Sequence, residues 1–388
     1  MERILPAYRV SLRIEDRLNK IERKSNKSSE KLEIRTMKHL NRIEQKNEEL
    51  LAKIEDRLNK IERKSDKSSE KLERRLINVE KALKSQRILS HNLFFLEQST
   101  NTKSIQQARA EYFMSMPKAE GDLRVVQEVG IYLLKNFKKL CIENNLQYWL
   151  ESGTLIGAMR HHGFVPWDDD IDLGMSRHDL DKLRSVLQNN SEFKMADIYY
   201  TSKKDGRKSM TTKFSFRDMK MPISIDLNTY DFLNVDDLSA GWKMRYDLRE
   251  KFSKEIEQIE SKLNNTFSLE EINNEDDLNL IQPIMNKYTA LASEFREGNV
   301  MCLAFHKFVR WKWIFPTDVF FPLAEEMFEG EKYPIPNRPI EHLRLQHNDI
   351  YEFADSLGKS KKINKYKLTA DINYQVNYLQ EKGHYLKY

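Results

Sequence analysis

The stretch Pro166–Asp172, PWDDDID, constrains this chain more than any other seven residues. It sets four carboxylates within five positions, beside a proline and a tryptophan. Like carboxylates repel, so they are held either by water, as a solvated acidic turn, or by something cationic. Asp170 and Asp172 are one residue apart. On a strand their side chains share a face, while Ile171 and Leu173 take the opposite, buried one. Two carboxylates on one face can share divalent cations, which cancel the repulsion and bridge the phosphates of a substrate. Downstream, ISIDLNTYDF sets Asp226 among Ile223, Ile225 and Leu227, a third acid from a second expected strand. The competing reading is an Asp-rich turn and a lone edge-strand acid. Asp168 and Asp169 sit in the approach to the strand as supporting or turn residues.

Immediately upstream runs ESGTLIGAMRHHGFVPWDDDIDLGM, from Glu151 to Met175. Ser152 and Gly153 follow a short buried strand expected at Tyr148–Leu150 and precede a helix expected near Thr154. Glycine lets the backbone approach closely. Unpaired amides at a helix start, with the Ser152 hydroxyl, can meet phosphate oxygens. Ser-Gly turns are common, however, and Thr154 is alternatively a plain helix cap. His161 and His162 have no cysteine or further histidine at useful spacing, which argues against zinc.

The rest of the chain divides by pattern. IEDRLNKIERKSNKSSEKLE at 14–33 returns at 54–73 with one change, Asn26 against Asp66. Ile14, Leu18 and Ile21, like Ile54, Leu58 and Ile61, make a narrow apolar stripe on a polar helix. A monomer buries such a stripe poorly, so pairing is expected. Residues 1–90 therefore read as a basic coiled-coil or helical arm that oligomerises the chain, for example as a dimer. A partly disordered basic tail is the alternative. Residues 91–121 read as a linker, 122–355 as a catalytic domain with a helical insertion at about 240–299, and 356–388 as a C-terminal extension. Val125, Val126, Val129, Leu133, Phe137 and Leu140 form the wide apolar face of a helix packed on a sheet. Further strands are expected at Ile171–Met175 and Ile223–Leu227. The fold class is α+β, with a mixed sheet and packed helices behind the arm.

The net charge of +5 hides an asymmetry: residues 1–90 hold 25 Lys/Arg against 16 Asp/Glu, the remainder 40 against 44. Acids interspersed along the arm argue for a solvated helix surface rather than a nucleic-acid partner. No run of 18 or more uncharged apolar residues occurs, so a membrane span is not expected. The first residues, MERILPAYRVSLRIED, lack the pattern of a signal peptide. Two isolated cysteines, Cys141 and Cys302, fit a reducing cytoplasm.

The stretch Glu151–Met175 strongly resembles the signature of LicD proteins, the bacterial branch of a group that includes fukutin and fukutin-related protein. FFPLAEEMFEGEKYPIP, from Phe320 to Pro336, resembles a second, weaker landmark. The resemblance covers roughly residues 123–351. It implies a nucleotidyltransferase-type fold and transfer of a phosphate-linked group from a CDP-activated donor to a glycan, with phosphocholine from CDP-choline as the leading cargo. Ribitol, glycerol or ethanolamine phosphate are alternatives, as is a non-catalytic scaffold. Carried over, Asp170, Asp172 and Asp226 would hold magnesium or manganese and carry the chemistry. Ser152 and Gly153 would contact donor phosphate, joined by Thr154. Arg160 would balance phosphate charge or act as a structural ion-pair partner. The implied partners are the donor, a glycan acceptor and a second copy of the chain. The implied place is the cytoplasm, with peripheral contact at the inner face of the membrane. Two departures stand out: His162 replaces a frequent second glycine, and LNTYDF follows Asp226 where something closer to IFPLD is usual. Trp311, Trp313, Phe315, Phe320 and Phe321 could form a cage for a quaternary ammonium or, the favoured reading, core.

Overall fold

Val126, Val129, Leu133 and Phe137 recur at helical spacing and are all buried, each contributing on the order of 1.5–3 kcal/mol by leaving water. They form the inner face of α2 (Gly121–Glu143), which follows α1 (Ile105–Met114) and packs on the central sheet. The structure is a computed structural model. It describes residues 104–201, 208–259 apart from 219 and 222, 275–292, 297–307, 313–344, 350–351 and 372–384, with Lys53, Phe95, Leu96 and Lys262 as isolated positions. The arm expected at 1–90 lies outside the described residues apart from Lys53. The chain divides into two units, 1–109 with 352–358 and 110–351 with 359–388, and the site described below lies in the second.

The sheet has seven strands: β1 (Trp149–Leu150), β2 (Ile171–Ser176), β3 (Phe193–Thr201), β4 (Lys208–Phe216), β5 (Ser224–Leu233), β6 (Val300–Leu303) and β7 (Ile314–Pro316). The order is β1-β2-β5-β4-β3, with β6 on β5 and β7 on β6. Only β2 and β5 run parallel; the other pairings are antiparallel, so the fold is α+β with a mixed sheet. α3 (Ser152–His161) joins β1 to β2, and α4 (Arg177–Leu187) joins β2 to β3. Ser176 caps α4, its hydroxyl accepting from the Asp179 N–H.

Three expected strands are present. The third is longer than its apolar pattern suggested, extending to Leu233. The reason is non-local. One edge of β5 pairs with β2, while the other pairs with β4 as far as Leu227 and with β6 from Tyr230 on. One sheet face, with Ile171, Leu173, Met175, Ile225, Leu227 and Phe214, meets α2 and α4 in the main core. On the other side, Trp149, Tyr230, Met301, Leu303, Trp313, Phe315 and Phe320 make an aromatic layer. Gly174 permits that packing: a Cβ there would lie 2.2 Å from the Trp149 indole nitrogen.

The polar stretch expected to be helical carries α5 (Leu238–Ile259) and α6 (Glu275–Ala292). They bury Phe252, Ile256, Ile281, Met285 and Tyr288 together with Phe305 and Met210 of the sheet side. A hairpin of β8 (Ala324–Phe328) and β9 (Glu331–Ile335), the short α7 (Pro339–Leu343) and α8 (Ile372–Glu381) complete the described elements. Among them no helix is long and apolar enough to cross a membrane.

Candidate active site

The parallel ladder between β2 and β5 sets Asp172 directly opposite Asp226, and the antiparallel ladder on the other edge sets Lys213 of β4 opposite Asp226. Neighbouring strands lie about 4.8 Å apart and residues in register point the same way. A row of acid, acid and base thus crosses three strands on one face. The Lys213 ammonium donates to Asp226 Oδ1. Asp170 lies two residues before Asp172, just ahead of β2. The Asp172 backbone is fixed on both sides: its N–H donates to Thr154 Oγ1 at 2.9 Å, and its carbonyl accepts from the Glu151 N–H at 3.0 Å. Thr154 therefore anchors the acidic strand to the first turn of α3.

Burial, then the charges of Asp226 and Asp170, push the Asp172 carboxyl well above the usual carboxylate range. Lys307, in the turn after β6, opposes this. Its Nζ donates to Asn228 Oδ1 at 2.7 Å, and Asn228 is two residues beyond Asp226 on the same face. Burial lowers the Lys307 ammonium against the pull of Asp226 and Asp172. A fourth acid stands behind the row. Glu151 is buried, accepts from Trp149 Nε1 at 2.8 Å, and meets His342 Nε2 at 2.5 Å. Its charge also bears on Asp172.

Ser152 and Gly153, the expected phosphate contacts, form the first turn of α3. The helix begins at Ser152, whose φ of 48° lies in the left-handed region. A Cβ on Gly153 would fall 2.7 Å from Asp168 Oδ2, so the buried Asp168 carboxylate lies over this first turn. Gln127 Nε2 holds the Asp168 carbonyl at 2.9 Å. Arg160 is not brought to the acids. Its guanidinium is buried 4.3 Å above the Phe113 ring, with Nη1 donating to the Ile350 carbonyl at 2.6 Å and Nε to His161 Nε2 at 2.9 Å. Burial, then the Arg160 charge, lowers His161 to about 4, which keeps its ring neutral at physiological pH. His162 closes α3 at φ 52°, a conformation that favours glycine and accounts for a glycine being frequent there.

Of the expected aromatic cluster, Trp313, Phe315 and Phe320 are buried in the layer around Trp149 and Tyr230, and Trp313 Nε1 donates to Tyr230 Oη at 2.6 Å. Phe321 packs against the same layer, and Trp311 lies outside the described residues. Sequence reasoning placed none of Glu151, Lys213, Asn228, Lys307 and His342 beside the acids. Lys213 could have been found from the alternation in KSMTTKFSF, which puts it on one face with Thr211 and Ser209. The other four carry no local signal.

The donor set suits a hard cation. Asp172 and Asp226 offer carboxylate oxygens from adjacent strands; Lys213 meets Asp226, while the like charges of Asp226 and Asp170 bear on Asp172. Among the described residues no group of three or more His, Cys, Asp or Glu side chains is placed to hold a metal ion by itself. Magnesium is ordinarily held by one or two carboxylates, with phosphate oxygens and water completing its shell, so a carboxylate pair fits it.

Residues 145–260 match the family described as LicD/FKTN/FKRP, nucleotidyltransferase domain. The lipopolysaccharide cholinephosphotransferase LicD of Haemophilus influenzae is 47% identical over 64 residues, 16% of this chain and 24% of that protein. Human ribitol 5-phosphate transferase FKRP is 38% identical over 58 residues, 15% of this chain and 11% of that protein. An uncharacterized protein of Rickettsia prowazekii is 47% identical over 55 residues, 14% of this chain and 21% of that protein. These alignments span at most about a quarter of the relatives' own length. The row of Asp172, Asp226 and Lys213 lies wholly inside the matched segment, and residues 145–260 are a nucleotidyltransferase domain of the LicD/FKTN/FKRP family.

Proposed function

We propose that this chain transfers a phosphate-linked substituent, phosphocholine from CDP-choline in the leading reading, to a sugar hydroxyl of a bacterial cell-surface glycan, with release of CMP. The observation that carries the proposal is the parallel register of Asp172 with Asp226 inside the family domain. The acceptor hydroxyl attacks the phosphorus that bears the substituent. The new P–O bond forms as the bond to CMP breaks. Asp226, at the centre of the row, takes the hydroxyl proton. Asp170, Asp172 and Asp226 would hold magnesium or manganese, which would supply positive charge to offset that of the transferred phosphoryl group and of the leaving group. The reading sets the reaction in the cytoplasm, at the inner membrane face where the acceptor is lipid-linked. The repeated arm joins copies of the chain; equal solution mass per particle, after allowance for the deleted residues, in the full chain and in a version starting at Asp122 would overturn that part.

The name of the FKRP relative favours ribitol phosphate as a second cargo. Offering CDP-choline, CDP-ethanolamine, CDP-glycerol and CDP-ribitol with magnesium while following CMP release separates the cargoes. CMP from CDP-choline above the other three supports phosphocholine. CMP from none of them, across a range of glycan acceptors, supports the scaffold reading and removes this one.

A further inference from the structure

Every backbone carbonyl from Leu303 to Lys307 accepts a hydrogen bond from one of two buried arginines on α5. Arg245 donates through Nε to Leu303 O at 2.5 Å and through Nη2 to Ala304 O at 3.0 Å and Lys307 O at 2.5 Å. Arg249 Nη1 reaches Phe305 O at 3.1 Å and His306 O at 3.3 Å. The sheet ties the same turn from the other side, where Ala304 N–H donates to Thr229 O at 2.9 Å and Met210 N–H to His306 O at 3.2 Å. The place is set by topology. The β4 ladder on β5 ends at Leu227 and the β6 ladder begins at Tyr230, so the turn fills the gap at Asn228 and Thr229. An irregular buried turn leaves carbonyls that the ladders cannot satisfy, and the fan of guanidinium donors satisfies them.

What the turn delivers is Lys307. Its Nζ sits 2.7 Å from Asn228 Oδ1, on the face and strand that present Asp226. An ammonium has three donors, and this hydrogen bond goes to a neutral amide rather than to a carboxylate. Lys213 already answers Asp226, and Arg160 is turned toward Phe113 and Ile350. A donor with two phosphates brings negative charge to a row that already carries a surplus of it, so it needs a fixed cation beside the acids.

We propose that Lys307 is a catalytic residue that binds a pyrophosphate oxygen of the donor beside Asp172 and Asp226, and that Arg245 and Arg249 are the positioning residues that hold it there. This rests on the transferase reading above. Both arginines and Lys307 act from α5 and from the far side of the helical insertion, which makes that insertion part of the site.

The test measures binding of CDP and of cytidine, with magnesium, to the full chain. Lys307→Met and Lys307→Gln are compared with wild type, both removing the charge while keeping most of the side chain's length. Loss of a charge-assisted hydrogen bond should weaken CDP roughly 10- to 100-fold and leave cytidine unchanged. Lys307→Arg should retain part of the CDP affinity. Arg245→Lys, which cannot span three carbonyls, should show the same phosphate-selective loss. Unchanged CDP affinity in Lys307→Gln, or equal loss for CDP and cytidine, overturns the assignment. A wild-type chain that binds CDP no better than cytidine removes the transferase reading itself.

Discussion

Strand β5 carries two aspartates, and its two ends treat them in opposite ways. Asp231 is 4% exposed, and both its oxygens accept from Arg177, Oδ1 from Nε at 2.5 Å and Oδ2 from Nη2 at 3.0 Å. Asp226 is half-buried, touches Lys213, and stands across from the like charge of Asp172. An odd sequence separation sends the two side chains to opposite faces of the sheet. On one face the fold supplies the acid with its own bidentate cation and the charge cancels. On the other it lines acids up in register and holds them against their repulsion. The first arrangement ties α4 to the sheet; the second leaves carboxylate oxygens that the proposed function assigns to a metal ion.

The comparison breaks most readily at its closed end. Arg177→Met leaves Asp231 charged, buried and unpaired, and should lower stability by about 3–5 kcal/mol in denaturant titrations. A loss below about 1 kcal/mol would show that the two ends are alike after all. The open end should respond in activity instead. Asp172→Asn and Asp226→Asn should each cut CMP release by roughly 10²–10³-fold, the range set by removal of one electrostatic contact in a catalytic site. Asp172 has a raised pKa in the fold, so the folded chain holds that proton more tightly than the unfolded chain does. Ionised Asp172 therefore costs stability at neutral pH, and Asp172→Asn should melt no lower than wild type at pH 7.

Glu329 sharpens the contrast as a second matched acid. It accepts from Arg124 Nη1 at 3.3 Å and Nη2 at 3.1 Å, and from Lys118 Nζ at 2.5 Å. Burial alone would raise its pKa, but the hydrogen bonds from Arg124 and then Lys118 outweigh that and hold it below the usual 4.5. A depressed carboxylate stabilises above its unfolded pKa, and that stabilisation disappears as pH falls through the folded value. Glu329→Gln should therefore cost on the order of 1–3 kcal/mol at pH 7, with the gap closing below about pH 4.5. The smallest effect belongs to Lys213→Met. Both partners of the Lys213–Asp226 pair are about a quarter exposed, so stability should change by less than about 1 kcal/mol, in contrast to Arg177.

Much of this was legible in the residues. Asp170 and Asp172 alternate with Ile171 and Leu173, and that period of two is a local property which survives any tertiary arrangement. The face of α2 was likewise visible in its valines, Leu133 and Phe137. Arg160 shows the limit. The resemblance gave it phosphate charge to balance or a structural ion pair to make, and the ring of Phe113 and the carbonyl of Ile350, some 190 residues along the chain, take its guanidinium. Asp168 read as a supporting or turn residue, and only the fold shows that it lies over the first turn of α3. The aromatic residues after Trp311 read as core in preference to a cage, and three of them are buried against Trp149 and Tyr230.

By itself the sequence determined three of the strands, the buried face of β2 and β5, and that their acids are available on the other face. Only the tertiary structure decided that Asp172 stands opposite Asp226 rather than one residue away, because register between distant strands is set by the whole ladder and the core beneath it. It also decided that a turn after β6, clamped by Arg245 and Arg249, brings Lys307 to Asn228. Lys307 lies 81 positions from Asp226, too far for any local pattern to connect them; the gap between two ladders on one edge of β5 is what puts them side by side.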